Sequence, residues 1–189
     1  MRSEWVSDES WEHILAALMP ANRLAIRVSL VTGLRIDDVL SLRSETVRRT
    51  NRPYVVDSKT GKRHRIYLPV ELWKQLNQQA GVYWVFEGRL DPHKHRTRQA
   101  VWKDVGRAAA VFRRSGIVNA HVSPHSARKA AAVRAYKKGG LTAAQKVLNH
   151  GDDAALTLLY ALADVPGANV HRGRARRSRP TKGRRHTRG

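Results

Sequence analysis

Along this chain the apolar residues recur at helical spacing almost throughout, and the pattern gives way most clearly in one place, between Tyr54 and Leu68. A period of 3.6 residues broken by a short run of period two restricts the fold to a mostly α domain carrying a small antiparallel β-hairpin or sheet, an α+β class. Trp11, Ile14, Leu15 and Leu18 share one helical face behind Ser7, whose hydroxyl suits the cap of a helix beginning at Asp8. A second helix is predicted over 21–31 through Leu24, Ile26, Val28 and Leu30, with Gly33 as its stop. A short third helix follows from Ile36 to Leu42. Tyr54–Val56 and Ile66–Leu68 are the predicted strands, joined by the turn Ser58–Lys62. Pro69–Leu72 opens another helix, Val82–Phe86 is a candidate further strand, and Val101, Val105, Ala108, Val111 and Phe112 mark a long amphipathic helix. Helices over 125–138, 142–149 and 153–163 complete the domain, punctuated by Gly139–Gly140 and Gly151.

Charge narrows the partners. The 189 residues hold 36 Lys+Arg against 15 Asp+Glu, a formal net charge of +21. Nine of those basic residues lie between His171 and Gly189, so residues 1–170 keep 27 basic against 15 acidic residues. The excess therefore belongs to the globular part as well as to the tail, and a polyanion is the expected partner. Charge alone does not separate DNA from structured RNA or an anionic membrane surface. Residues 1–166 are expected to fold as one domain, and 167–189 to form a basic tail with too few apolar residues to fold alone. No apolar run is long enough to span a bilayer and the first residues lack a signal-peptide core, so a soluble cytoplasmic protein is expected. The chain has no cysteine, which excludes disulfides and thiolate metal sites. His93 and His95 form a pair without a placed acid to complete a metal site, so no metal and no cofactor are expected.

Four segments carry candidate chemistry. Thr32–Gly33–Leu34–Arg35 sets an arginine just after a helix-ending glycine, with Asp38 three residues on. Ser58–Lys59–Thr60–Gly61 sets a lysine at the hairpin tip. His125–Ser126–Ala127–Arg128 puts His and Arg one helical turn apart. Leu148–Asn149–His150 is followed ten residues later by Tyr160. Each segment alone has a plain reading as a solvated turn, a helix-end charge or a core aromatic. Their order is what distinguishes them.

In that order the four segments resemble the active-site signature of the tyrosine recombinases, the family of lambda-type integrases and Xer recombinases. TGLR is matched letter for letter; the family's LGH-like segment stands here as LNH, and its HxLRHT stretch as HSARKA. The resemblance implies that Arg35 and Arg128 clamp a phosphate's non-bridging oxygens with His150 as a third donor, and that Tyr160 is the nucleophile. Lys59 would protonate the leaving 5′ oxygen, His125 would assist proton transfer at the tyrosine, and Asp38 would orient the site. It also implies double-stranded DNA as substrate, a tetramer on synapsed DNA, and accessory DNA-bending proteins as possible partners. Neither ATP nor a metal is needed, because the covalent bond conserves the phosphodiester's energy. Lys62, Arg63, Arg96, Arg98 and Lys129 are the candidate DNA contacts in the folded part, and Arg172, Arg174, Arg176 and Arg177 those in the tail. Tyr136, two turns beyond Arg128, is the competing tyrosine. Two other functions share these residues: DNA relaxation by type IB topoisomerase chemistry, and DNA binding without cleavage.

Overall fold

The computed structural model describes residues 3–148. Seven helices and two strands follow in the order α1 (Asp8–Ala16), α2 (Pro20–Thr32), α3 (Ile36–Leu40), α4 (Ser44–Arg49), β1 (Tyr54–Val56), β2 (Arg63–Arg65), α5 (Val70–Gln79), α6 (Arg98–Arg114) and α7 (Pro124–Leu148) among the described residues. The Ser7 hydroxyl accepts from the Ser10 N–H and caps α1, while Asp8 and Glu9 sit in the first turn, where acids favour the helix dipole. Pro20 begins α2, which ends at Gly33 in the left-handed conformation. Thr97 caps α6 by accepting from the Ala100 N–H.

A single apolar cluster ties these helices together, with Trp11, Ile14, Ile26, Val39, Leu40, Leu76 and Phe86 almost wholly buried. The N-terminal half of α7 contributes mainly small side chains, Ala127, Ala130, Ala131 and Ala132, so its backbone approaches closely and packs along α2. Asp104 of α6 ties that helix to the start of α2, accepting from the Met19 N–H at 2.9 Å and the Asn22 amide at 2.8 Å. The expected helix break at Gly139–Gly140 is present, since both residues leave helical geometry within α7.

Three expectations need correction. The second strand is Arg63–Arg65, with Tyr54 opposite Arg65 and Val56 opposite Arg63, rather than Ile66–Leu68. Ile66 and Leu68 are buried and still donate to the Pro53 and Asn51 carbonyls, but Pro53 has no N–H to return the bond and the ladder stops there. Val82–Phe86 makes one isolated bridge, Trp84 with Arg43, instead of a strand. The third helix ends at Leu40, not Leu42, and a further short helix, α4, occupies 44–49. The predicted helix over 153–163 lies outside the described residues, as does the C-terminal tail.

Candidate active site

The loop Gly33–Leu34–Arg35 between α2 and α3 is the hub of the site. Gly33 adopts φ +72°, which side chains resist, and a Cβ there would lie 2.6 Å from Val147 Cγ1 and 2.9 Å from the Val147 carbonyl oxygen. The end of α7 is thereby seated directly on this loop. Arg128, near the start of α7, is only 3% exposed. Its guanidinium donates to the Gly33 carbonyl at 2.5 Å and to the Leu148 carbonyl at 2.7 Å. Six residues farther along, Arg134 donates to the Leu30 carbonyl at 2.7 Å. Orphan carbonyls at the ends of two helices are thus satisfied by arginines from α7.

Arg35, two residues beyond Gly33, precedes α3 and is partly exposed, with its guanidinium paired to Asp57 at the end of β1. Asp57 is the hinge pin of the hairpin. Its Oδ1 accepts from both the Lys59 and Thr60 N–H groups at 2.9 Å, while Oδ2 takes Arg35. Burial by itself would raise the Asp57 carboxyl, but the Thr60 N–H, the Arg35 charge and the Lys59 N–H together hold it below the usual carboxylate range. Asp38 makes the parallel connection. Buried within α3, it accepts from the Ser58 N–H at 2.9 Å through Oδ1, and its Oδ2 has no partner among the described residues. The turn that carries Lys59 is therefore fastened at Ser58, Lys59 and Thr60 to carboxylates facing the Arg35 loop, while the Lys59 side chain itself is exposed.

His125 lies exposed in the first turn of α7, and its N–H donates to the Ser123 hydroxyl at 3.2 Å. Arg35, Asp38, Lys59 and Arg128 thus converge through the Gly33–Arg35 loop, and His125 enters on the helix of Arg128. His150 and Tyr160 lie outside the described residues, as do Arg172, Arg174, Arg176 and Arg177.

The candidate DNA contacts divide. Lys62 and Arg63 are exposed on the hairpin, and Arg63 stacks over the Tyr54 ring at 4.4 Å. Arg98 is exposed at the start of α6 with Asp37 3.4 Å away. Arg96 instead turns inward, donating to the Asn22 amide oxygen at 3.3 Å, and Lys129 reaches the Ser3 carbonyl at 2.6 Å. Sequence reasoning missed Asp57, although an acid opening a turn whose next N–H groups it can accept is a recognisable signal. It also missed the hairpin's outer face. There Arg49, Arg52, Tyr54, Val56, Arg63 and Arg65 line a groove of about 630 Å³. Tyr136 is half-buried on α7. Among the described residues no group of His, Cys, Asp and Glu is arranged to hold a metal, and no helix is long and apolar enough to cross a membrane.

This arrangement of helices and hairpin is shared with solved recombinase structures. A lambda integrase dimer bound to a COC′ core site superposes with a TM-score of 0.69 at 20% identity, covering 85% of this chain and 60% of that one. XerA recombinase gives 0.64 at 18% identity over 83% of this chain and 58% of the other. The catalytic domain of bacteriophage HP1 integrase gives 0.62 at 18% identity, covering 86% of this chain and 89% of that one. The chain thus spans about three fifths of the lambda integrase and XerA structures, whereas it covers most of the HP1 domain. No curated protein sequence matches it. The fold is that of a tyrosine recombinase catalytic domain. The family model for the phage integrases matches residues 4–164, and the chain belongs to that family.

Proposed function

We propose that this chain is the catalytic part of a site-specific DNA recombinase or integrase, cutting and rejoining duplex DNA through a covalent 3′-phosphotyrosyl intermediate. The observation that carries the reading is the gathering of Arg35, Lys59 and Arg128 around one short loop. Arg128 bonds the Gly33 carbonyl, and Asp57 bonds both the Arg35 guanidinium and the Lys59 N–H. Family membership and the DNA-bound state of the lambda integrase neighbour support duplex DNA as the substrate.

In this mechanism Arg35 and Arg128 stabilise the charge that builds on the non-bridging oxygens, and His150 donates a third bond. The Tyr160 oxygen attacks phosphorus as its proton passes toward His125, and the bond to the 5′ oxygen breaks. Lys59 delivers a proton to that oxygen, leaving a 5′-hydroxyl and a phosphotyrosine. Attack by a 5′-hydroxyl reverses each transfer and reseals the strand. No oxidation occurs, and no nucleotide is consumed. The exposed arginines of the hairpin and Arg98 supply phosphate contacts that position the duplex, joined by the basic tail. Residues 1–166 form the catalytic domain, acting in the cytoplasm as a tetramer on synapsed DNA with accessory bending proteins.

Nicked duplexes that lose a short fragment on cleavage test the reading. A denaturation-resistant protein–DNA adduct is expected, abolished by Tyr160→Phe and retained by Tyr136→Phe. Relaxation of supercoiled plasmid without exchange between two marked duplexes would instead indicate topoisomerase-type activity. An adduct surviving Tyr160→Phe would overturn the choice of nucleophile.

A further inference from the structure

The mechanism above assigns work to Arg35 and Lys59 but none to the group that lies between them. Asp57 is nearly inaccessible, with 3% of its side chain exposed, and its bonds reach in two directions. One carboxylate oxygen faces the Arg35 guanidinium; the other accepts the Lys59 and Thr60 N–H groups at 2.9 Å each. The turn is closed behind it, since the Gly61 N–H reaches the Asp57 carbonyl at 2.8 Å and the Asp57 N–H reaches the Lys62 carbonyl at 3.0 Å. The backbone leading to the Lys59 side chain is therefore referenced to the same carboxylate that aims Arg35.

We propose that Asp57 is a positioning residue for strand cleavage, fixing the phosphate-binding Arg35 and the proton-donating Lys59 relative to each other. The proposal rests on the functional reading above. A guanidinium on a flexible stem has many rotamers, and a hairpin tip held only by its own turn moves with it. Asp57 removes both freedoms at once, which is the preorganisation that charge stabilisation and proton delivery require. Its carboxyl stays ionised through the working range, because the N–H bonds and the Arg35 charge outweigh the effect of burial. The anion engages only Nη1 of the guanidinium, whose side chain remains 24% exposed. Asp38 holds the same turn at Ser58 but does not reach Arg35 by any described bond, so it cannot replace Asp57 in this role.

Two substitutions separate the two directions. In Asp57→Asn the amide oxygen still accepts the turn N–H groups, whereas its NH₂ opposes the Arg35 guanidinium, so only the arginine is released. Asp57→Ala releases both. Each is assayed for adduct formation on nicked duplexes with an ordinary 5′ oxygen and with a bridging 5′ sulfur. Cleavage of the P–S bond expels a thiolate that needs no proton, so sulfur rescues a misplaced Lys59 but not a misplaced Arg35.

The expected result on the oxygen substrate is a drop in adduct formation of about 100-fold for Asp57→Asn and about 1000-fold or more for Asp57→Ala, with duplex affinity retained. On the sulfur substrate Asp57→Ala should recover about tenfold or more relative to the unaltered protein, and Asp57→Asn should not. Equal losses on both substrates for both variants would reduce Asp57 to a structural residue and overturn the proposal. So would unimpaired cleavage by Asp57→Asn. A folded, DNA-binding, unaltered protein that forms no adduct on either substrate would overturn the functional reading itself, and this proposal with it.

Discussion

The seam between α2 and α7 and the hairpin β1–β2 both carry candidate site residues, yet they hold them by different chemistry. At the seam Arg128 is buried and its guanidinium bonds main-chain carbonyls of Gly33 and Leu148. At the hairpin Arg35 is partly exposed and bonds a carboxylate, while Lys59 stands in solvent on a turn held by N–H bonds. The carbonyls are fixed by the helices that present them, so the seam couples its arginine to the stability of the whole domain. The hairpin turn and its lysine are held instead by two carboxylates, Asp57 and Asp38 of α3, and Arg35 reaches the turn through Asp57. One half of the site is built into the core; the other is attached to it.

The largest expected consequence concerns stability. Arg128→Ala should lower the unfolding free energy by about 3–5 kcal/mol, because two buried carbonyls lose charged donors. Urea denaturation measures it, and a loss under about 1 kcal/mol would show that the seam does not depend on this residue. Arg35→Gln, by contrast, should cost little stability while sharply reducing adduct formation.

The two glycines sharpen the contrast. Gly33 and Gly61 have nearly the same backbone, φ +72° and +68°, but a Cβ at Gly33 meets Val147 whereas nothing lies within 4 Å at Gly61. Gly61→Ala should therefore cost only the left-handed strain, about 1–2 kcal/mol. Gly33→Ala adds displacement of the end of α7, for a total of about 2–4 kcal/mol. Equal melting temperatures for the two variants would mean that α7 is not seated tightly on the loop.

The smallest effect is titration. A carboxyl held below its ordinary value stabilises the fold above the unfolded pKa, about 4, and that contribution fades as pH falls through the folded value. Asp57 is such a group in the hairpin, and Asp104 is another, where burial is outweighed by the Asn22 amide, the Met19 N–H and Arg107. Asp57→Asn should thus lower stability near pH 7 and flatten the loss of stability below pH of about 4. Protection of the Lys59 and Thr60 amides against exchange should weaken over that same acidic range. Unchanged protection there would remove the carboxylate from the account of the turn.

Much of this was legible in the sequence for identifiable reasons. Ser7, Pro20, Gly33 and Thr97 mark helix ends through local chemistry, and Ser7 and Gly33 are legible as such from the residues alone. TGLR, the hairpin lysine and HxxR pointed by their order to the family that the chain belongs to. Strand register was less legible, because buried Ile66 and Leu68 look like a strand and only Pro53, just before β1, shows where pairing ends. Arg96 and Lys129 read as surface cations, yet both are taken by internal acceptors that lie 74 and 126 residues away in sequence. The double use of Asp57 depends on a contact 22 residues back along the chain, which no local pattern encodes.

The most direct test of the central claim is to find which residue carries the DNA. Trapped adduct can be digested with nuclease and trypsin, and the modified peptide sequenced by mass spectrometry. Tyr136 falls in the tryptic peptide Ala135–Lys137, and Tyr160 in the separate peptide Val147–Arg172. A nucleotide remnant is expected on Tyr160 in the second peptide and none on Tyr136. A remnant on Tyr136, or on any other residue, would contradict the central claim.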